Sequence, residues 1–244
     1  MAKSKVRNID GARFYTIKKA SYVSATTTCK VMPKPFLMPW YANMEKKAVR
    51  RLLKKYINKD LQFDELIKKL TKLSAERSPT AASIYIEKTS KFGNALHAAI
   101  EGFFTGHKPN LQGKQKKCFK QFKKWWSGSG FTPIKKESEF VVHSNKLKVA
   151  GTIDQGVMRE GKHEILDWKT GKSVYPDHYY QVVIYIICCQ EMGLKVKRGW
   201  IVHTPRDGGK VKVHKVIPGK GKAPSIEQVK QMISFWKMLN PKHA

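Results

Sequence analysis

The residues best equipped for chemistry are Asp154, Asp167 and Lys169, on two strand-like stretches, 147–158 and 163–169, joined at Glu160-Gly161. If the hairpin closes about that dipeptide, Asp154 faces Asp167 directly across the pair, with Cβ atoms about 4.5–5.5 Å apart. Like charges so placed destabilise a sheet unless a cation or a proton lies between them. Lys169, two residues beyond Asp167, projects from the same face, with Thr152 opposite it and Gly156 leaving room for a ligand. Ile153, Val157, Leu166 and Trp168 are expected on the reverse face as packing. Two such carboxylates suit Mg²⁺ or Mn²⁺, which acidifies a bound water and stabilises charge developing on a phosphodiester; the lysine adds a cation for the attacking water or the transition state. The plain structural alternative is an Asp167–Lys169 salt bridge with Asp154 solvated.

Composition narrows the partner. With 48 Lys+Arg against 18 Asp+Glu, the formal net charge of +30 favours polyanions, nucleic acid before anionic membrane. A lysine-rich surface serving solubility is the competing explanation. No apolar run reaches the roughly 18 residues a membrane span needs. The cysteines stand at 29, 118, 188 and 189, with no CxxC pair and no secretory signal, which argues against disulfides and a zinc site. The expected compartment is the cytoplasm of a bacterial or phage-infected cell. The basic N-terminus lacks the serines and amphipathic stripe of a mitochondrial transit peptide, so that destination is not favoured.

The elements that must position the site run from helical to mixed. Residues 14–31 read as strand-like or extended, and Pro33, Pro35 and Pro39 then break regular structure. Helices are expected near 42–56, 63–76, 91–105 and 114–126, the last with Cys118, Phe119, Phe122, Trp125 and Trp126 on one stripe. Strands follow at 138–145, 147–158 and 163–169, then a helix over 176–192. Strands at 197–204 and 210–217 flank Asp207-Gly208-Gly209, and a capped helix starts near Ser225. The pattern predicts an α/β fold with a central mixed sheet flanked by helices, preceded by a helical N-terminal region. The division expected is 1–90, covering the site or contacting DNA, and 91–244, the core.

The stretches Gly151-Thr-Ile-Asp154, Asp167-Trp-Lys169-Thr-Gly171-Lys172 and Gln181-Val-Val-Ile-Tyr185 resemble the PD-(D/E)xK superfamily, in particular its RecB-like nuclease branch of phage and mitochondrial genome-maintenance exonucleases. Gly93-Asn-Ala-Leu-His97-Ala-Ala-Ile-Glu101 is similar to that branch's helical histidine motif, and Glu139 stands where the branch has a glutamate ahead of the Gly151–Asp154 strand. The resemblance implies a restriction-endonuclease-like core in which His97, Asp154, Asp167 and the carbonyl of Trp168 hold Mg²⁺ or Mn²⁺. It makes Lys169 the catalytic lysine and Glu139 an aid to the metal site. Gln181 and Tyr185, four apart on one helix face, position DNA or Lys169. Glu101 either orients His97 or is solvated. His97, Glu139 and Tyr185 also have ordinary packing or surface readings. Some members of the branch carry a four-cysteine iron–sulfur cluster; no cysteine follows Cys189, so none is expected here.

The function implied is a metal-dependent DNA nuclease acting on single strands or DNA ends, an exonuclease in phage or bacterial DNA metabolism. An endonuclease on the same fold and a non-catalytic nucleic-acid binder are the alternatives. Stretches 42–56 and 114–126 offer lysines to the DNA backbone or are solvated faces. Phe36, Trp40 and Tyr41 either stack on unpaired bases or staple a helix, and 30–90 is expected to form an arch over the strand, as the resemblance implies.

Overall fold

The computed structural model describes residues 4–74, 80–107 and 109–243. The chain falls into two compact units, one of Met1–Met32 with Ala95–Ala244 and one of Pro33–Asn94. This differs from the division expected at residue 90. Residues up to Met32 belong with the sheet, because their strands pair into it.

The first unit is an α/β structure around an eight-stranded mixed sheet. β1 (Lys5–Ile9), β2 (Ala12–Ile17) and β3 (Ala20–Ser24) form an antiparallel meander. β4 (Thr132–Ser144), β5 (Val149–Arg159) and β6 (Lys162–Lys169) form a second one, and β7 (Gly199–His203) and β8 (Lys212–Val216) close the far edge. The order is β1-β2-β3-β5-β6-β7-β8, with β4 paired to the other edge of β5. The β5–β6 turn has the positive φ values of 50° at Glu160 and 69° at Gly161 that a tight two-residue hairpin requires.

β5 has an unusual burden. Along one edge it pairs with β4 from Val149 to Gln155 and again at Val157 and Met158, with a break in register between Pro133 and Ser138. Along the other it is parallel to β3 at Val149 and Ala150, and antiparallel to β6 from Gln155 onward. Residues 151–154 thus lie in a fork with no strand partner on that edge among the described residues. The short helix α1 (Ala25–Thr28) follows β3, with Ser24 capping it by accepting the Thr27 N–H.

Of the remaining helices, α6 (Pro176–Glu191) and α7 (Ile226–Leu239) cover one face of the sheet. Val182, Val183, Ile184 and Ile186 of α6 and Val229 and Ile233 of α7 share a core with Ile153, Ile165 and Ile201. Ser225 and Gln228 form the expected capping box of α7. On the opposite face, Trp168 packs with Phe104 of α4 (Ala81–Thr105) and Phe122 of α5 (Lys114–Ser127). Trp168 and Phe104 stack at 6.2 Å with 11° between their planes, which ties β6 to the helix that carries His97. Ile153 and Trp168 therefore serve different cores, not the single reverse face expected. The reason is the fork: once β5 and β6 part, alternation on one strand no longer matches the other.

The second unit is helical: α2 (Leu37–Ile57), α3 (Phe63–Ser74) and the start of α4. α2 begins at Leu37, ahead of the expected position, because Pro39 falls in its first turn, where no N–H needs an acceptor. The expected extension of α3 to Glu76 lies outside the described residues. Among the described residues no helix is long and apolar enough to cross a membrane.

Candidate active site

The fork is where the chemistry-bearing side chains meet. The β5–β6 register is the one expected, running from Arg159↔Lys162 to Gln155↔Leu166. The ladder stops there, one pair short of Asp154 and Asp167. Instead of facing Asp167 as a sheet neighbour, Asp154 turns its carboxylate into the gap, and Oδ2 accepts the Trp168 N–H at 2.5 Å. Its other oxygen lies 3.9 Å from Nδ1 of His97 on α4.

Asp167 is buried beside it, with Oδ2 2.7 Å from Nζ of Lys169. That contact is an ion pair; no aligned hydrogen bond reaches the oxygen, which solvent does not touch. Lys169 also donates to Gln181 Oε1 at 3.0 Å, and Gln181 Nε2 donates to the Tyr185 hydroxyl at 2.6 Å. The i, i+4 spacing on α6 thus produces a relay from Tyr185 through Gln181 to the lysine. Burial works against the charge on Lys169, but the Asp167 and Asp154 carboxylates outweigh it and raise its pKa, so the amine stays an ammonium. Burial, with Asp167 adding to it, pushes the Tyr185 hydroxyl well above its ordinary value, so it acts as a neutral hydroxyl. Gly151 is required for this arrangement: a Cβ there would overlap the Tyr185 ring.

Glu139 reaches the site from β4. Ser138 pairs with Gln155 and Phe140 with Ile153, so Glu139 lies abreast of Asp154. Its φ of 46° is a left-handed value that a non-glycine residue adopts at a cost of order 1 kcal/mol. The residue touches solvent, yet partial enclosure of its carboxyl, followed by repulsion from Asp154, Glu101 and Asp167, pushes its pKa up to about 7. Asp154 is pushed up to about 6, first by burial and then by Asp167, against the pull of His97 and Lys169. Glu101 of α4 is close enough to add to this field while remaining exposed.

These donors suit a hard divalent cation: carboxylate oxygens that repel one another, a buried oxygen without an aligned hydrogen bond, and an imidazole nitrogen. They are not drawn together into a finished cage, since no group of three or more His, Cys, Asp or Glu is gathered tightly enough for that among the described residues. All four cysteines are buried.

Tyr15 of β2 is a neighbour that the sequence pattern did not single out. Its hydroxyl is 3.1 Å from Thr152 Oγ1 within the fork, and it opposes ionisation of Tyr185. No local spacing connects Tyr15 to Gly151–Asp154; only the β3–β5 pairing brings them together. Glu137 and His163 form a partly buried pair, 2.7 Å apart, against the bare backbone of Gly156. The room expected at Gly156 for a ligand is therefore filled by Glu137.

No family profile and no curated protein matches the chain. Among solved structures, the crystal structure of SSO0001 is 13% identical, covers 72% of each chain and superposes with a TM-score of 0.39. A likeness of that degree says nothing of activity.

Proposed function

We propose that the chain is a metal-dependent DNA nuclease of the PD-(D/E)xK type, RecB-like branch, and that it acts as an exonuclease in DNA replication, recombination or repair. The observation that carries the reading is the fork in which Asp154 and Asp167 stand beside Lys169, with the lysine held by Gln181 and Tyr185.

In this reading Asp154, Asp167, His97 and the Trp168 carbonyl hold Mg²⁺ or Mn²⁺, and Glu139 assists. When bound, the ion supplies an acidified water and neutralises charge building on phosphorus. Asp154 is pinned by the Trp168 N–H, so its carboxylate does not have to be ordered when substrate arrives. Lys169 keeps its charge in a buried setting and directs it at the attacking water or the non-bridging oxygens. Gln181 fixes the ammonium, and Tyr185 fixes Gln181. The charge of +30 draws in the DNA backbone.

The deciding assay incubates the protein with linear and closed circular DNA in Mg²⁺ or Mn²⁺, with EDTA as control. Loss of linear DNA alone means an exonuclease, and cutting of circles means an endonuclease. Absence of metal-dependent cleavage from both substrates, with DNA still bound, leaves a non-catalytic binder and sinks the enzyme.

A further inference from the structure

The helical unit holds a feature that the candidate active site does not use. α2 is 21 residues long and none of them is buried. Helices in proteins owe most of their stability to a packed apolar face, and that of α2 is only half-covered. Its apolar residues are nevertheless ordered. Met44, Ala48 and Leu52 recur every fourth residue and so form one stripe. With Leu73 of α3 and Ile84 and Tyr85 of α4, they line a groove of about 740 Å³. Glu45 fixes α2 against α4 by accepting the Ala81 and Ala82 N–H groups at 3.2 and 3.1 Å, two donors that the first turn of α4 cannot satisfy itself.

The rim is cationic. Lys47, Arg51 and Lys55 make a second stripe on α2 beside the apolar one, and Lys72 and Lys88 face it from α3 and α4, with Lys69 beside them paired to Glu65. No Asp or Glu lines the groove among the described residues.

We infer that this groove docks an acidic amphipathic helix of a partner protein. The stretch of α2 from Met44 to Lys55 spans three turns, about 16 Å at 1.5 Å per residue, which matches a helix anchored at i, i+3, i+4 and i+7. Leucine-like side chains fill the aliphatic floor, and flanking carboxylates meet the lysines. Single-stranded nucleic acid answers the rim but not the floor, because its bases bind on aromatic platforms. The floor offers one tyrosine, and Tyr85 is already in edge contact with Trp40 at 5.7 Å. A second copy of this chain is a poor occupant, since none of its described helices carries an acidic stripe beside an apolar one. The inference does not depend on the nuclease reading.

The test titrates the full chain into a fluorescein-labelled synthetic helix of about 15 residues, with leucines at i, i+3, i+4 and i+7 and glutamates on both flanks. A peptide of the same composition in shuffled order and an oligothymidylate serve as comparisons. The striped peptide is expected to bind at least ~10-fold more tightly than the shuffled one. Leu52→Glu in the floor and Arg51→Glu on the rim should each weaken it by ~10-fold or more with the circular dichroism spectrum unchanged. Arg51 is exposed, so its replacement tests the groove even where Leu52→Glu disturbs packing. Equal binding of the two peptides overturns the inference. So does an oligothymidylate that displaces the peptide and is itself weakened by Leu52→Glu, which assigns the groove to nucleic acid.

Discussion

The carboxylate of Asp154 takes the Trp168 N–H at 2.5 Å, in the place where the next rung of the β5–β6 ladder would form. A side chain there does the work of backbone, so its two oxygens have separate duties: one closes the sheet and the other faces His97 and the cluster of charge.

Asp154→Asn separates those duties. Asparagine keeps an oxygen for the N–H and removes a charge that burial and Asp167 oppose. The metal-free variant should have a Tm equal to or above that of the wild type, while DNA cleavage falls by ~100-fold or more. Asp154→Ala orphans the N–H and should cost about 1–3 kcal/mol in denaturant unfolding. Wild-type cleavage by the asparagine variant would falsify the assignment of this carboxylate.

The raised carboxyls make a statement about pH. Glu139 at about 7 and Asp154 at about 6 bind protons more readily folded than unfolded, where carboxyls titrate near 4. Between those values the native state holds more protons, so the stability of the metal-free protein falls as pH rises from about 4 to about 7. A divalent cation replaces the protons. Thermal melts should show Mg²⁺ or Mn²⁺ raising the Tm more at pH ~8 than at pH ~5.5, and Glu139→Gln should flatten the metal-free profile. A metal-induced shift that grows toward acid contradicts this.

Gly151→Ala places a methyl group where the Tyr185 ring lies. The ring must move or the strands must part, at roughly 1–3 kcal/mol, and Gln181 loses its hydroxyl partner. Tyr185→Phe removes that hydroxyl without the clash and should cost about 0.5–1.5 kcal/mol. Cleavage should fall in both variants, and the double mutant should be little slower than the worse single, since both act through one hydroxyl. Full additivity of the two losses in kinetic assays argues against the relay.

Away from this face, Glu164 is fully buried, accepting hydrogen bonds from Arg198 Nε and, at 2.6 Å, from Trp200 Nε1. Arg198→Met should destabilise by about 3–5 kcal/mol because the carboxylate loses its cation. Adding Glu164→Gln should recover part of that. Activity per folded molecule should be unchanged in both, as checked by unfolding and cleavage on the same preparations.

Much of the site was legible because its geometry is local. Glu160-Gly161 sets the β5–β6 register, two-residue spacing puts Lys169 beside Asp167, and four-residue spacing aligns Gln181 with Tyr185. What sequence spacing did not reveal is long-range. The pairing of Val23 with Val149 joins segments far apart in the chain, and nothing in either stretch announces the other. For want of it, residues 14–31 could not be assigned to the sheet, and the parting of β5 from β6 before Asp154 could not be foreseen. The resemblance pointed to Glu139, but nothing pointed to its left-handed backbone, because a glutamate is no signal for positive φ.

The shared edge of β5 bears on how this chain could be shortened. β3, the last strand of the N-terminal meander, covers Val149 and Ala150 next to the fork. Trimming the meander would extend the uncovered edge from residues 151–154 back to Val149, turning a short sheltered gap into a strand-length template for intermolecular pairing. Self-association would then begin beside the carboxylates, so loss of the N-terminal strands would register as aggregation and inactivity together.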